Sequence, residues 1–369
     1  MACLNPGGFL QDAVQSCLSQ RGVDVELIVV DDGSSDGSRE WLEAYSREEP
    51  RLKLLNGPGT GPAAARNLAI SAARGDWVSV MDADDIIHPD RLARLVAIAT
   101  TKKVEIVADQ LLAFTENEDG RLAWPFIGDL LNAPLTEVSL PVLVTPTDAG
   151  FGSALGYVKP VIRMDFLKKS GVVYDTTVRI GEDFDFLANL LANGGRLLVS
   201  SLPLYFYRRH PSSLSFRLNS HDADALIAAN SRFLQKYETQ RPDIRALLLP
   251  RDNALRRYRA AVRLVEDVKR IRPLSALSTL CQRPSCAIIF AGFVLEGLQR
   301  RFGRSSASLS PFPRGQVGIS SERLRQLTPD ALDTDSLLQV AIPLTEADEA
   351  TKKRLSLEIK DTFWAGFAF

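Results

Sequence analysis

The chain has 369 residues, 45% hydrophobic and 24% charged, values that suit one large domain, or a domain plus a sizeable appendage, around a substantial core. A net charge of −1 excludes a global attraction to nucleic acid or to a membrane, so any such partner must be drawn by a local patch. The opening MACLNPGGFL lacks the basic start and apolar run of a signal peptide, and no stretch approaches the roughly 18 apolar residues of a spanning helix.

From Gly8 to Gln20 the apolar positions Phe9, Leu10, Ala13, Val14, Cys17 and Leu18 fall at helical spacing, and Gly22 ends the helix. Val25 to Val30 is a short apolar run that reads as a buried parallel strand, stopping in the turn formers Asp31-Asp32-Gly33-Ser34-Ser35-Asp36-Gly37. A helix from near Ser38 follows, then a strand at Leu52–Leu55, a Gly/Pro loop from Asn56 to Pro62 and a helix from Ala63 to Ala73. Trp77 to Met81 is the next strand, ending in Asp82-Ala83-Asp84-Asp85. Pro89 opens a helix through Ile98, and Val104 to Ala108 is a further strand. This alternation predicts an α/β fold with a doubly wound, mainly parallel sheet, whose ligands bind at the carboxyl ends of the strands. Both acidic clusters sit at such ends.

Residues 110–215 are less regular. After Asp222 long amphipathic helices are expected, and between Arg251 and Arg304 there are twelve Arg or Lys against four Asp or Glu. Two readings of that stretch stay open: a peripheral contact with anionic lipid, or a helical subdomain with a solvated basic face and a buried core at Cys286–Leu295. The boundaries expected are 1–220 for the α/β domain, 221–304 for a basic helical extension and 305–369 for a weakly patterned tail. Cys3, Cys17, Cys281 and Cys286 lack zinc-site spacing and read as reduced thiols of a cytoplasmic protein.

Five segments can carry chemistry, most with a plainer reading beside them. Asp31-Asp32 can accept hydrogen bonds from a nucleobase or ribose, or simply cap the next helix. Asp82-Ala83-Asp84-Asp85 can hold Mg²⁺ or Mn²⁺ through oxygen with positions left for diphosphate, or form an acidic N-terminal turn. In Gly57-Pro58-Gly59-Thr60-Gly61-Pro62-Ala63-Ala64-Ala65-Arg66-Asn67, Arg66 can pair with phosphate, brace the acidic cluster, or lie on the surface. A carboxylate of Gly181-Glu182-Asp183-Phe184-Asp185 can deprotonate an acceptor hydroxyl. His210 follows in Tyr207-Arg208-Arg209-His210-Pro211, and a lone histidine is more often structural.

The order of these segments is less ambiguous than any one of them. VVDDGSSDGS, GPAAARNLAI, MDADDIIHPDRL, GEDFDF and YRRHPSSLS together resemble the inverting family 2 glycosyltransferases of the GT-A fold, across roughly residues 5 to 216. YVKPVIRMDFLKKSGVVYDTTVRIGEDFDF is similar in particular to bacterial exopolysaccharide transferases of the succinoglycan glucosyltransferase type. The resemblance implies a UDP-sugar donor, glucose being the first guess, an Mn²⁺ or Mg²⁺ cofactor, and a glycan or lipid-linked saccharide acceptor. Asp32 and Arg66 would hold the nucleotide, with Asn5 in the turn against the base. Asp82 would contact ribose or metal, and Asp84 would be the principal metal ligand. Asp183 would be the general base beside Glu182, His210 would meet diphosphate or metal, and Lys159 and Arg163 would line the acceptor side. No nucleic-acid partner is implied, and the location is cytoplasmic, with the inner face of the membrane open through residues 251–304.

One departure is visible. Relatives open with a complete strand and a Pro-x-Tyr-Asn-like turn, whereas here the match starts at Leu4-Asn5, so the first strand is expected to be largely absent and Leu4 stands where an aromatic is common. That motivates an alternative, a catalytically inactive homologue acting as a binding or scaffold partner in polysaccharide assembly. A nucleotidyltransferase lacks its activation loop here, and an NAD-dependent oxidoreductase lacks its glycine fingerprint.

Overall fold

The centre of the N-terminal half is a strand buried on both faces. In β2 (Leu27–Asp31) all five residues are buried. Leu27 and Val29 pack with Leu10, Ala13, Val14 and Cys17 of α1 (Phe9–Leu18) and Leu42 of α2 (Ser38–Glu48). Ile28 and Val30 point the other way, onto Ala65 and Ala69 of α3 (Pro62–Ala72). Alternate side chains of one strand thus serve two helical layers, which is why its sequence is a continuous apolar run. Its parallel neighbours are β1 (Ala2–Cys3) and β3 (Leu52–Asn56). Only two residues of the expected first strand are in place, yet they join the molecule's two sheets, because Ala2 also bridges to Asp82. A computed structural model describes residues 1–117, 120–127, 130–131, 133–146, 153–210, 219–302 and 317–319.

The larger sheet is mixed. Further along come β4 (Trp77–Ser79), β5 (Ile86–Ile87), α4 (Arg91–Lys102), β6 (Ile106–Asn117), β7 (Gly120–Pro125), β8 (Leu135–Val138), α5 (Leu140–Val144), β9 (Val161–Arg163), α6 (Met164–Ser170), α7 (Glu182–Ala192) and β10 (Leu197–Arg208). The long parallel pair β6–β10 is its backbone, and β4, β5, β7, β8 and β9 join through antiparallel ladders. Val317–Ile319 pairs antiparallel with β7. The β6–β10 register slips once: five steps along β10, Ser200 to Tyr205, match two along β6, Asp109 to Leu111. Such a bulge re-aims the strand that carries it. Beyond it, Tyr205, Phe206 and Arg208 arrive beside β5 and the Asp82–Asp85 turn.

One buried ion pair ties these strands together under the site. Arg91 and Asp109 are both fully buried, with Arg91 Nη2 donating to Asp109 Oδ1 at 2.7 Å and to the Lys159 carbonyl at 2.5 Å. Its Nη1 reaches Ser79 Oγ at 3.3 Å, and the guanidinium lies 4.9 Å from the Tyr205 ring centre. Four chain segments therefore converge on one side chain.

The C-terminal helices are α8 (Ser220–Tyr237), α9 (Ile244–Lys269), α10 (Pro273–Gln282) and α11 (Cys286–Phe302). Phe233, Tyr237, Ile244 and Leu248 belong to the main core, so α8 and the start of α9 share it with the α/β sheet. The tail expected at 305–369 lies outside the described residues except for Val317–Ile319.

Removing one partner of a buried pair strands the other charge. Asp109→Ala should therefore lower unfolding free energy in urea by about 3–5 kcal/mol, whereas the apolar double replacement Arg91→Met with Asp109→Leu recovers most of the loss. Equal destabilisation by the single and double variants would contradict this account.

Candidate active site

Two loops at the carboxyl ends of β2 and β3 form one wall of the site. Asp32 accepts from the Gly59 amide through Oδ1 at 2.8 Å and from the Gly61 amide through Oδ2 at 2.7 Å. The Gly57 amide donates to the Asp31 carbonyl at 2.7 Å. A Cβ on Gly57 would stand 2.4 Å from Asp32 Oδ1 and 2.8 Å from Asp32 Cα, so this approach requires glycine. Asn5, in the left-handed region at φ 50°, accepts from the Ser35 amide at 2.7 Å, and the Gly7 amide donates to Asp36 at 2.7 Å. Left-handed backbone suits Asn better than most side chains. The turn around Asn5 is thus clamped to the DGSSD loop, leaving Leu4 exposed.

The second wall is a network of charges. Arg66, buried on α3, donates to Glu182 at 2.6 Å and to Asp82 at 2.7 Å, and lies 3.4 Å from Asp183 Oδ1. Lys159, equally buried, places Nζ 2.7 Å from Asp82 Oδ2 and 2.6 Å from Asp183 Oδ2. Burial alone would lower the pKa of both cations, but Asp183 and Asp82 outweigh it and push both well up. Burial works to raise Asp82, yet Lys159 and Arg66 hold it below the usual carboxylate range. Glu182 is pushed up by burial and by Asp183, against the pull of Arg66. Asp183 Oδ1 is a buried atom that accepts no hydrogen bond. It is positioned by Gly181, left-handed at φ 88°, which starts α7 so that Glu182 and Asp183 occupy its first turn.

Asp82, Asp84 and Asp85 can bring one oxygen each within 4.8 Å of one another. Their surroundings differ. Asp85 is fully buried and occupied, accepting from the Tyr205 hydroxyl at 2.7 Å and the Arg208 amide at 2.8 Å. Burial, with Asp84 and Asp82 beside it, raises its pKa well above normal. Asp84 is the more open group, with His210 Nε2 2.9 Å from its Oδ2. Arg208 Nε donates to the Asp84 carbonyl at 2.8 Å, and its guanidinium stands 4.5 Å from the Phe9 ring centre. Formally, Asp82, Glu182 and Asp183 face Arg66 and Lys159, and Asp84 adds a further negative charge. The surplus and the all-oxygen donors suit a hard divalent cation, so the residues present fit one.

Of the residues expected from the sequence, Arg66, Asp82, Lys159, Glu182 and Asp183 meet in one network, and Asp84 meets His210. Asp32 and Asn5 build the adjoining loop wall. Arg163 is not brought there: its guanidinium lies 5.1 Å from the Trp77 ring centre, and Nη2 reaches the Val104 carbonyl at 3.4 Å. As the last residue of β9 it points away from the strand end that carries Lys159. Residues 211–215, the remainder of the YRRHPSSLS segment, lie outside the described residues. Arg208 lies in that segment without a role assigned from the sequence, Tyr205 lies two residues before it, and Arg91 reads from the sequence only as a helix residue.

The family model described as glycosyl transferase family 2 matches residues 1–133. The succinoglycan biosynthesis protein ExoO of Rhizobium meliloti (strain 1021) is 35% identical over 77% of this chain and 80% of its own length. ExoU, a succinoglycan biosynthesis protein of the same organism, is 28% identical over 88% of this chain and 94% of its own. In solved structures, S. aureus TarS 1–349 in complex with UDP-GlcNAc aligns over 75% of this chain and 88% of that one, with a TM-score of 0.51 at 16% identity, a likeness of fold. The chain, with its strand-end carboxylates and GT-A architecture, belongs to glycosyl transferase family 2 and is a glycosyltransferase.

Proposed function

We propose that the protein transfers a sugar, glucose as the first assignment, from a UDP-sugar to a saccharide or lipid-linked saccharide acceptor in exopolysaccharide synthesis, with inversion at the anomeric carbon. The observation that carries this is Asp183: a carboxylate fixed by Lys159 through one oxygen, with its other oxygen buried and accepting no hydrogen bond. The two relatives named for succinoglycan synthesis support the pathway, and the UDP-GlcNAc bound to TarS supports the donor class.

In this reading Asn5 and Asp32 shape the pocket for the base, Asp32 by fixing the glycine loop through Gly59 and Gly61. Asp84, with Asp82 and His210, would hold Mn²⁺ or Mg²⁺, which when bound supplies charge neutralisation for the departing diphosphate. Arg208 and His210 lie at the same edge and contribute positive charge or hydrogen bonds to phosphate oxygens. Asp183 Oδ1 takes the proton of the acceptor hydroxyl as that oxygen attacks the anomeric carbon. The bond from that carbon to the diphosphate breaks in the same step, and the nucleoside diphosphate leaves with the electron pair. Lys159 keeps Asp183 in place, and Arg66 joins Glu182 to Asp82, so the base and the donor side are held by shared cations. The catalytic unit assigned is 1–220, with 221–304 as a helical extension that shares its core and 305–369 as a tail.

Calorimetric titration of UDP should show binding that strengthens with Mn²⁺. In Asp84→Ala the manganese-dependent gain should disappear, a loss of at least about tenfold, or ~1.4 kcal/mol. Unchanged Mn²⁺ dependence in that variant would remove Asp84 from the metal site.

Asp183→Asn keeps the shape but cannot accept the proton. UDP binding should stay within about twofold while turnover falls by roughly 10²–10⁴-fold, the usual worth of a positioned base. Full turnover by this variant would end the assignment.

A further inference from the structure

Six of the twelve large hydrophobic side chains exposed among the described residues fall between Val268 and Val294. Ile271 is 87% exposed, Leu274 83%, Ile288 80% and Leu277 60%. Single exposed aliphatics are ordinary, but a contiguous group of this kind marks a contact surface. None of the residues of α10 is buried. Its inner positions Ala276 and Leu280, with Ile289, Phe290 and Phe293 of α11, pack on Ala260, Ala261 and Leu264 of α9. Leu274, Leu277 and Cys281 follow the i, i+3, i+7 pattern on the opposite side of α10, and Ile288 is the exposed counterpart on α11. Of the stretch that one reading buried, Cys286–Leu295, Cys286 is buried and Ile288 is exposed.

The backbone at the apex adds an independent observation. Ile271 has φ 54°, a left-handed conformation that is costly for a β-branched residue, and its side chain stands in solvent between Arg270 and Arg272. Among the described residues, no packing covers that side chain, which is 87% exposed. The charges show what covers it. From Lys269 to Val294 the sequence contains Lys269, Arg270, Arg272 and Arg283 and no Asp or Glu, in a protein whose net charge is −1. Lys269, Arg270 and Arg272 are exposed. Aliphatic tips ringed by cations complement a layer that is negative at its surface and apolar just beneath. No helix among the described residues is long and apolar enough to cross a membrane, so the contact is one lying on the surface.

We infer that the outer face of residues 268–294 docks on an anionic lipid bilayer, with Ile271, Leu274, Leu277 and Ile288 entering the headgroup layer and Lys269, Arg270, Arg272 and Arg283 meeting lipid phosphates. The surface argument is independent of the donor site. Its use, to bring the enzyme to a lipid-linked acceptor, rests on the function proposed above. UDP titration reads only the donor site and vesicle binding reads only this face, so either reading can fail alone.

The test is flotation of the purified full chain with phosphatidylcholine vesicles, with and without about one-third phosphatidylglycerol. The expected result is at least roughly tenfold more bound protein on the anionic vesicles, reduced at high salt as the Debye length shrinks. Ile271→Gly relieves the backbone yet removes the apolar tip, so it should raise the thermal midpoint while lowering vesicle binding. The triple variant Ile271→Ser, Leu274→Ser, Leu277→Ser should abolish flotation and leave UDP titration unchanged. Failure of the full chain to float, or flotation undiminished in both variants, overturns the inference. So does a dimer in analytical ultracentrifugation that the same substitutions dissociate, since the face would then be an interface between copies.

Discussion

Carboxylates gathered from a strand-end turn and a helix start repel one another and lose hydration, and the molecule depends on the cations buried with them. Arg66 and Lys159 are each shared between acidic groups from different parts of the chain: Asp82 of the strand-end turn and the Glu182–Asp183 pair of α7. Without those cations the turn and the helix would be forced apart by like charges in a low-dielectric setting. With them, α3, the turn after β4, the segment before β9 and the start of α7 are locked into one arrangement. The same contacts that make the site electrostatically tolerable also set its geometry.

A second buried cation supports the first layer from below. Arg91 fixes the Lys159 carbonyl, so the position of the Lys159 ammonium is inherited from the Arg91–Asp109 pair. Arg91 also lies against the Tyr205 ring, whose hydroxyl donates to Asp85. Asp85 is thereby held in a structural role with both oxygens engaged, while Asp84, one residue earlier, keeps a more open carboxylate beside His210. Adjacent residues of one acidic turn are separated in their partners by what reaches them from β10, beyond its register shift after Ser200.

This division explains what could be read in advance. The helix and strand order through Ala108 follows from local periodicity, and β2 in particular is legible because burial on both faces leaves no polar position. Asp82 and Asp84 were legible as an acidic run at a strand end, whereas Asp183 stood out through the order of the motifs and not through local periodicity. Lys159 and Arg163 were not separable: both flank the same short strand, and which one faces the acids depends on a long-range bond from Arg91 to a backbone carbonyl. Asp32 was legible as a loop residue but not as the acceptor for Gly59 and Gly61, since that contact joins segments 27 and 29 residues apart. The register shift in β10 left no local signature beyond Pro203, and the short β1 was legible as short but not as the link between sheets.

The helical extension is not a passive appendage either. Arg251, buried near the start of α9, stacks 3.9 Å from the Phe184 ring, the residue after Asp183, and burial brings its pKa down to about 10. Phe184 in turn fills the space that Gly156 leaves open, since a Cβ there would come within 2.8 Å of it. Asp183 is therefore braced from one side by the segment leading to Lys159 and from the other by α9. Arg251 and Lys269, the last residue of α9, are eighteen residues apart, about 27 Å along a helix at 1.5 Å per residue. α9 thus packs behind the Glu182–Asp183 turn near one end and leads at the other into the exposed basic and apolar segment that starts at Lys269.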